Sequence, residues 1–284
     1  MKKFKIGLIV NSLRMGLFEG IKLSSELGVE GIQIHSTGEM DPSTLSPEKR
    51  KEVLKFIHDC GMEISAVTGN LGGHSLSHPE DFPVKIPLAK SKIDFANQLE
   101  CSIVASHIGV IPSDKKSERY EAMQKALTEV GQYADSAGVK FAIETGPETT
   151  TVLKEFINSL PCNGVTVNYD PANLLMVTGE DPVQGVYNLK ELIVHTHAKD
   201  GVMLKQTDPQ VIYDFFASGG IGDIKLADYF REEALGKGNV DFDSYLKALE
   251  DIGYHSYLTI ERELGPDPIA DVKLAIDFLK EKIQ

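Results

Sequence analysis

Tryptophan is absent from this 284-residue chain, and cysteine occurs only three times, at Cys60, Cys101 and Cys162. The three thiols are odd in number and far apart, with no C-x-x-C pair. That excludes a disulfide framework and argues against a closed thiolate zinc site. They read as free thiols of a cytoplasmic protein. Basic residues are scarce as well: 29 Lys and Arg stand against 42 Asp and Glu, a formal net charge of −13. Such a chain repels polyanions, which argues against nucleic acid or an anionic membrane surface as a partner. No apolar run approaches the roughly 20 residues that span a bilayer. The opening "MKKFKIGLIVNSLRM" sets lysines before an apolar run, yet Lys5 interrupts it and no small-residue cleavage site follows. It reads as a first strand, not a signal peptide. Nor does a Gly-rich turn follow that strand, so a dinucleotide-binding open sheet is disfavoured.

What is present is material for one large core, with 42% hydrophobic and 25% charged residues. Short β-rich runs alternate with longer helical ones. The expected strands are 4–10, 30–35, 62–67, 102–107, 139–144, 164–169, 192–197 and 256–261, each followed by a helical segment. Ser46-Pro47-Glu48 supplies an N-cap, an N1 proline and an early acid for a helix over 47–60. The stretch "KSERYEAMQKALTEVGQYADSAG" repeats apolar residues at helical spacing and stops at Gly138. "FDSYLKALEDIG" is a further helix, with Asp243 or Ser244 as its expected cap. Eight strand–helix alternations without a second compositional region predict a single (β/α)8 TIM barrel over 1–284. Two connections, 68–84 and 198–241, are too long for turns. Both leave the C-terminal ends of strands, where a barrel carries its active site. Within the second, "SGGIGD" (218–223) reads as a turn, with a hinge or phosphate nest as the alternative.

Side chains alternate between the faces of a strand. On the last four strands this alternation turns Glu144, Asp170, His197 and Glu261 toward the barrel axis, each at a strand's end. His195 points inward too, one layer deeper. Three carboxylates buried together without a cation are costly, because each loses hydration and repels the others. A divalent cation removes that cost. Three oxygen donors and one imidazole suit Mn²⁺ best, with Mg²⁺, Co²⁺, Fe²⁺ or Zn²⁺ as alternatives.

Five phrases occur in order at barrel spacing: "FAIETG" with Glu144, "NYDPANLL" with Asp170, "HTHAKD" with His197, "LGKGNVDF" (235–242) and "LTIERE" with Glu261. Across nearly its full length the chain resembles the xylose-isomerase-like barrels of the sugar (phosphate) isomerase and epimerase family. That group also includes endonuclease IV-type DNA repair enzymes. The resemblance implies that the His of H-x-K-D is a ligand, which selects His197. It implies a substrate-side role for His107 in "ASHIG". The chain departs from D-tagatose 3-epimerase-like enzymes at Asn173, where those carry a histidine, and at Thr150, where those carry a substrate-holding glutamate, with Glu148 nearby. The DNA repair type needs a further histidine after the seventh strand, and 198–241 contains none.

The expected activity is therefore a metal-dependent isomerase or epimerase acting on a small carbohydrate through proton transfer next to a carbonyl. Glu144 and Glu261 serve as the acid–base pair, and Asp170 and His197 mainly as ligands. His107, Asn173, Lys199 and Asp200 are expected to meet the substrate, and Arg262 to be structural. A dehydratase or lyase on a keto-sugar, keto-inositol or 3-oxo-glycoside shares the same first step and is the alternative. A non-catalytic sugar-binding subunit is the remaining one. Homo-oligomers are common among similar proteins.

Overall fold

All eight expected strands form, each within one residue of its expected limits, in the computed structural model, which describes residues 4–283. The ends of the expected domain, 1–3 and 284, lie outside the described residues. In chain order the barrel strands are β1 (Lys5–Ile9), β2 (Gly31–His35), β3 (Glu63–Thr68), β4 (Ile103–Ser106), β5 (Lys140–Glu144), β6 (Val165–Tyr169), β7 (Ile193–Ala198) and β10 (Tyr257–Ile260). They close as β1-β10-β7-β6-β5-β4-β3-β2, and each neighbouring pair is parallel. Closure leaves no free sheet edge. A ring of helices covers the outside: α1 (Leu17–Glu26), α2 (Pro47–Asp59), α3 (Phe82–Gln98), α4 (Glu118–Ala137), α5 (Thr150–Asn158), α6 (Pro171–Val177), α7 (Pro182–Leu189), α9 (Phe242–Asp251) and α10 (Pro268–Lys282). Two helices, not one, link β6 to β7.

The local reasons are legible. Ser46 accepts from the Lys49 amide (3.1 Å) and Ser117 from the Tyr120 amide (3.2 Å), capping α2 and α4. Gly138 ends α4 at φ +68°, a left-handed conformation that suits glycine. One expected cap needs correction. The cap of α9 is Asp241, not Asp243 or Ser244. Its carboxylate accepts from the Ser244 amide (3.1 Å) and hydroxyl (2.7 Å), because a short acid two to three residues ahead reaches the orphan N–H groups of the first turn. Phe141, Val167 and Tyr169 pack outward and are wholly buried between sheet and helices. Each contributes about 1.5–3 kcal/mol by leaving water.

The 198–241 connection is more ordered than a loop. It folds as an antiparallel ribbon of β8 (Asp200–Met203) and β9 (Phe230–Glu233), with helix α8 (Pro209–Ser218) between its strands. "SGGIGD" is a turn: Gly219 ends α8 at φ +70°, and the Gly220 amide donates to Phe215 O (2.9 Å). Arg262 is structural as expected, tying Glu232 of β9 to Asp271 of α10 at 2.8 Å each. Among the described residues, no helix is long and apolar enough to cross a membrane.

Candidate active site

Four strand ends converge on one point above the barrel core. Glu144 ends β5, Asp170 directly follows β6, His197 lies near the end of β7, and Glu261 directly follows β10. One donor atom from each lies within 4.8 Å of the others. The His197 Nδ1 is the hub, 3.2 Å from Glu261 Oε2, 3.3 Å from Asp170 Oδ2 and 3.6 Å from Glu144 Oε1. Asp170 divides its carboxylate: Oδ2 faces the cluster, while Oδ1 caps α6 by accepting from the Asn173 amide (2.8 Å). All four side chains are nearly or wholly buried. Three carboxylate oxygens and one imidazole nitrogen at this spacing fit a hard or borderline divalent cation.

The charges of these groups depend on one another. Burial opposes ionisation at Glu261, but the Lys199 ammonium and the His197 imidazole outweigh it and hold the carboxyl well below its ordinary range. At Glu144 burial is likewise outweighed, by His107 and His197. At Asp170 burial wins over Lys199 and His197, and its affinity for a proton is raised. At His197 burial is overcome by Glu261 and Glu144, so the imidazole holds its proton well above the usual pH. Protons and ammonium groups thus supply the positive charge that a metal ion would bring.

The remaining expected residues divide. Asn173 Nδ2 donates to Glu144 Oε1 (3.0 Å), and His107 Nε2 stands 3.5 Å from the same oxygen with its ring half exposed. Both lie beside Glu144 at the edge of the cluster. Lys199 is buried, donating to Glu261 (3.0 Å) and Glu263 (2.6 Å). Asp200 does something other than expected. Its carboxylate accepts from the amides of Gly201, Gly236, Gly238 and Val240 at 2.8–3.1 Å, clamping the "LGKGN" loop to β8. A side chain at Gly238 would collide with it. Those bonds commit both carboxylate oxygens to the loop.

Gln33 was not expected. It sits on β2, fully buried, with its Oε1 3.0 Å from His195 Nε2 and 3.2 Å from His197 Nε2. Its amide nitrogen donates to Thr68 (2.9 Å). A ligand imidazole that binds metal through Nδ1 carries its proton on Nε2, and Gln33 Oε1 accepts a hydrogen bond from that N–H and fixes the ring. His195 lies below, and burial pushes it down to about 3, so it is neutral.

Glu148 is the other surprise. Burial pushes its carboxyl up to about 8, and its one hydrogen bond comes from the Ile111 amide at 3.4 Å. Its Oε1 has no partner among the described residues. Beside it is Tyr213 of α8, whose hydroxyl packs where a side chain at Gly146 would go. Tyr213 also stacks edge-on against His107. Between pH 4.5 and 8 folded Glu148 holds a proton that the unfolded chain has lost. Its contribution to stability is therefore complete below 4.5 and is lost as pH rises to 8, by at most about 5 kcal/mol. Glu148→Gln cannot ionise. Its urea midpoint relative to the parent is expected to rise between pH 5 and pH 8; a difference that ignores pH would refute the assignment.

The family model described as a xylose isomerase-like TIM barrel matches residues 21–282. The chain belongs to that family. An inosose dehydratase from Clostridium perfringens is 25% identical over 175 residues, 58% of this chain and 55% of that one. The chain spans little more than half the length of several curated relatives that it matches. Among solved structures, a xylose isomerase domain protein from Planctomyces limnophilus is similar at a TM-score of 0.76 with 23% identity, covering 98% of this chain and 97% of that one. A D-psicose 3-epimerase from Clostridium cellulolyticum H10, solved with D-tagatose, gives 0.73 and 14%, covering 99% of each.

Proposed function

We propose that this family member is a divalent-metal-dependent enzyme that moves a proton next to the carbonyl of a small polyhydroxylated substrate. The observation that supports it is the convergence of Glu144, Asp170, His197 and Glu261 at the strand ends. Asp170 and His197 would hold the ion, together with one oxygen each of Glu144 and Glu261, and Mn²⁺ suits that donor set best. When bound, such an ion polarises the carbonyl and acidifies the neighbouring C–H.

The protein's own groups then handle the proton. Glu144 and Glu261 flank the imidazole hub, and their neighbours keep both ionised and ready to act as a base. One carboxylate takes the proton from the carbon. For epimerisation the other carboxylate must first take up a proton from solvent and then deliver it to the opposite face; for isomerisation the first carboxylate passes the proton it removed to the next carbon. His107, half exposed beside Glu144, can relay that proton to solvent. A dehydratase is the second reading. It shares the same proton removal and is consistent with Lys199, whose ammonium lies 3.0 Å from Glu261 and offers a positive charge beside a departing hydroxyl, and with the inosose dehydratase relatives.

A panel of keto-sugars, keto-inositols and sugar phosphates, incubated in D₂O with and without Mn²⁺ and followed by NMR, tests both readings. Metal-dependent deuterium uptake at the carbon next to the carbonyl is expected. Retained hydroxyls indicate epimerisation or isomerisation, and loss of water indicates dehydration. Exchange that proceeds equally after chelation would defeat the proposal.

A further inference from the structure

The connection after β7 carries α8 to the side of the cluster where Glu144 stands. Tyr213 of that helix sets its hydroxyl against Gly146, so close that a Cβ on the glycine would collide with the oxygen. The same Cβ would lie 3.2 Å from Asn173 Cβ, so the phenol and Asn173 flank one point. Asn173 donates to Glu144 Oε1 (3.0 Å), and His107 Nε2 is 3.5 Å from that oxygen. The His107 ring in turn meets the Tyr213 ring edge-on, with centroids 5.7 Å apart. Tyr213, Asn173 and His107 thus form one wall beside Glu144 Oε1. The Tyr213 hydroxyl has no hydrogen-bond partner among the described residues. It is not one of their sealed, partnerless polar atoms either, unlike Glu148 Oε1 beside it, and the residue as a whole is part-exposed. The oxygen therefore reaches open space.

We propose that Tyr213 is a substrate-contacting residue, whose phenol hydrogen-bonds an oxygen of the polyhydroxylated substrate on the Glu144 side of the cluster. The inference rests on the cluster being the reacting centre. It adds that the 198–241 connection, and not the barrel alone, selects the substrate.

The way α8 is held supports a fixed place for this one side chain. Of the helix's ten residues only Ile212 is buried, so apolar packing contributes little to its position. Polar ties on two sides set it instead. Gln210 accepts from Arg119 of α4 (3.0 Å) and donates to Asp214 (2.5 Å). Asp214 stands 3.5 Å from His74 Nδ1, in the loop after β3. Tyr213 lies between these two ties. Its contact with His107 needs only the ring, for which phenylalanine would serve. The hydroxyl bonds nothing in the described protein and so has no structural task there. Burial and the carboxyl groups of Glu148 and Glu144 keep the phenol from ionising. It therefore keeps its hydrogen and can both donate and accept. A sugar hydroxyl also does both, which makes the two a match. A phosphate is disfavoured by the same carboxyl groups.

The test compares the full chain with Tyr213→Phe and Tyr213→Ala, each with Mn²⁺, and titrates D-tagatose and 2-keto-myo-inositol by calorimetry. Tyr213→Phe is expected to weaken binding of at least one of them about tenfold, the size of one neutral hydrogen bond. Its thermal midpoint and its Mn²⁺ affinity are expected to stay at parental values, because the lost oxygen has no protein partner. Tyr213→Ala, which also removes the ring beside His107, is expected to lower the midpoint. Unchanged sugar binding in Tyr213→Phe, or a midpoint lowered as far as in Tyr213→Ala, would overturn the contact. Deuterium exchange on the same samples separates this inference from the reaction it rests on. Tyr213-dependent binding without Mn²⁺-dependent exchange would support the contact and refute the reaction. Mn²⁺-dependent exchange with parental binding in Tyr213→Phe would do the reverse. Binding of neither sugar to the parent would overturn both.

Discussion

Glu261→Gln is expected to lower the rate of substrate deuterium exchange by at least about 10³-fold, and Glu144→Gln by a similar factor. The amide keeps the shape of each side chain and can still present an oxygen to a cation, but it cannot accept a proton from carbon. At Glu261 a second effect adds to the first. Lys199 is buried, and its ammonium is held charged mainly by Glu261 and Glu263 against the cost of burial. Without the Glu261 charge the ammonium keeps Glu263 at 2.6 Å but loses its partner on the cluster side. Glu261→Gln is therefore expected to destabilise the chain more than Glu144→Gln, because Glu144 partners no buried ammonium; it meets Asn168, Asn173, His107 and His197. Denaturant midpoints alongside the exchange rates check both parts. Exchange that persists at parental rate in either variant would remove that carboxylate from the chemistry.

The second large effect concerns metal, pH and stability together. The cluster holds a proton on His197 that a cation must displace, and burial raises the proton affinity of Asp170 as well. Both proton affinities are raised, so deprotonation, and with it metal binding, becomes easier as pH rises. Affinity for Mn²⁺ is expected to increase from pH 5.5 to 8. At an ion concentration about 100 times Kd the folded state gains about 2.7 kcal/mol. For a chain of this size that corresponds to roughly 5–10 °C in Tm. A calorimetric scan with and without Mn²⁺ should show a gain of that size near pH 8 and a smaller one at pH 5.5. Equal gains at both values would mean that no proton leaves on binding, and His197 would then not be the ligand.

The barrel was readable because its signals are local. Period-two alternation and the glycines between helix and strand mark each element within a few residues of itself, as in "SAGVKFAIE". The cluster was readable for the same reason, since a barrel brings strand ends together whatever the loops do. The residues that escaped depend on distant partners. Asp200 looked like a site residue because it follows His197 closely, yet the amides it binds lie up to 40 positions away. Glu148 lies in a loop, and the tyrosine beside it comes from a helix 65 residues later, so its burial leaves no local mark. Gln33 did leave one, a lone amide between isoleucines in "GIQIH". Extending the inward-facing argument from the last four strands to the second would have found it. The ribbon of β8 and β9 was hidden because its two strands are separated by α8.

The divided carboxylate of Asp170 limits how this part of the chain can vary. One oxygen is committed to the helix that starts at Pro171 and the other to the cluster, and the residue it caps, Asn173, reaches back to Glu144. Inserting or deleting a single residue between 170 and 173 would turn the helix by about 100° and break all three links at once. Spacing there is frozen, and the cap on the 173 amide tolerates another side chain only where that side chain can also donate to Glu144. Diversity in this region can arise by exchange of one residue for another, and changes in length are left to segments such as the Gly219–Gly222 turn, which does not touch the cluster.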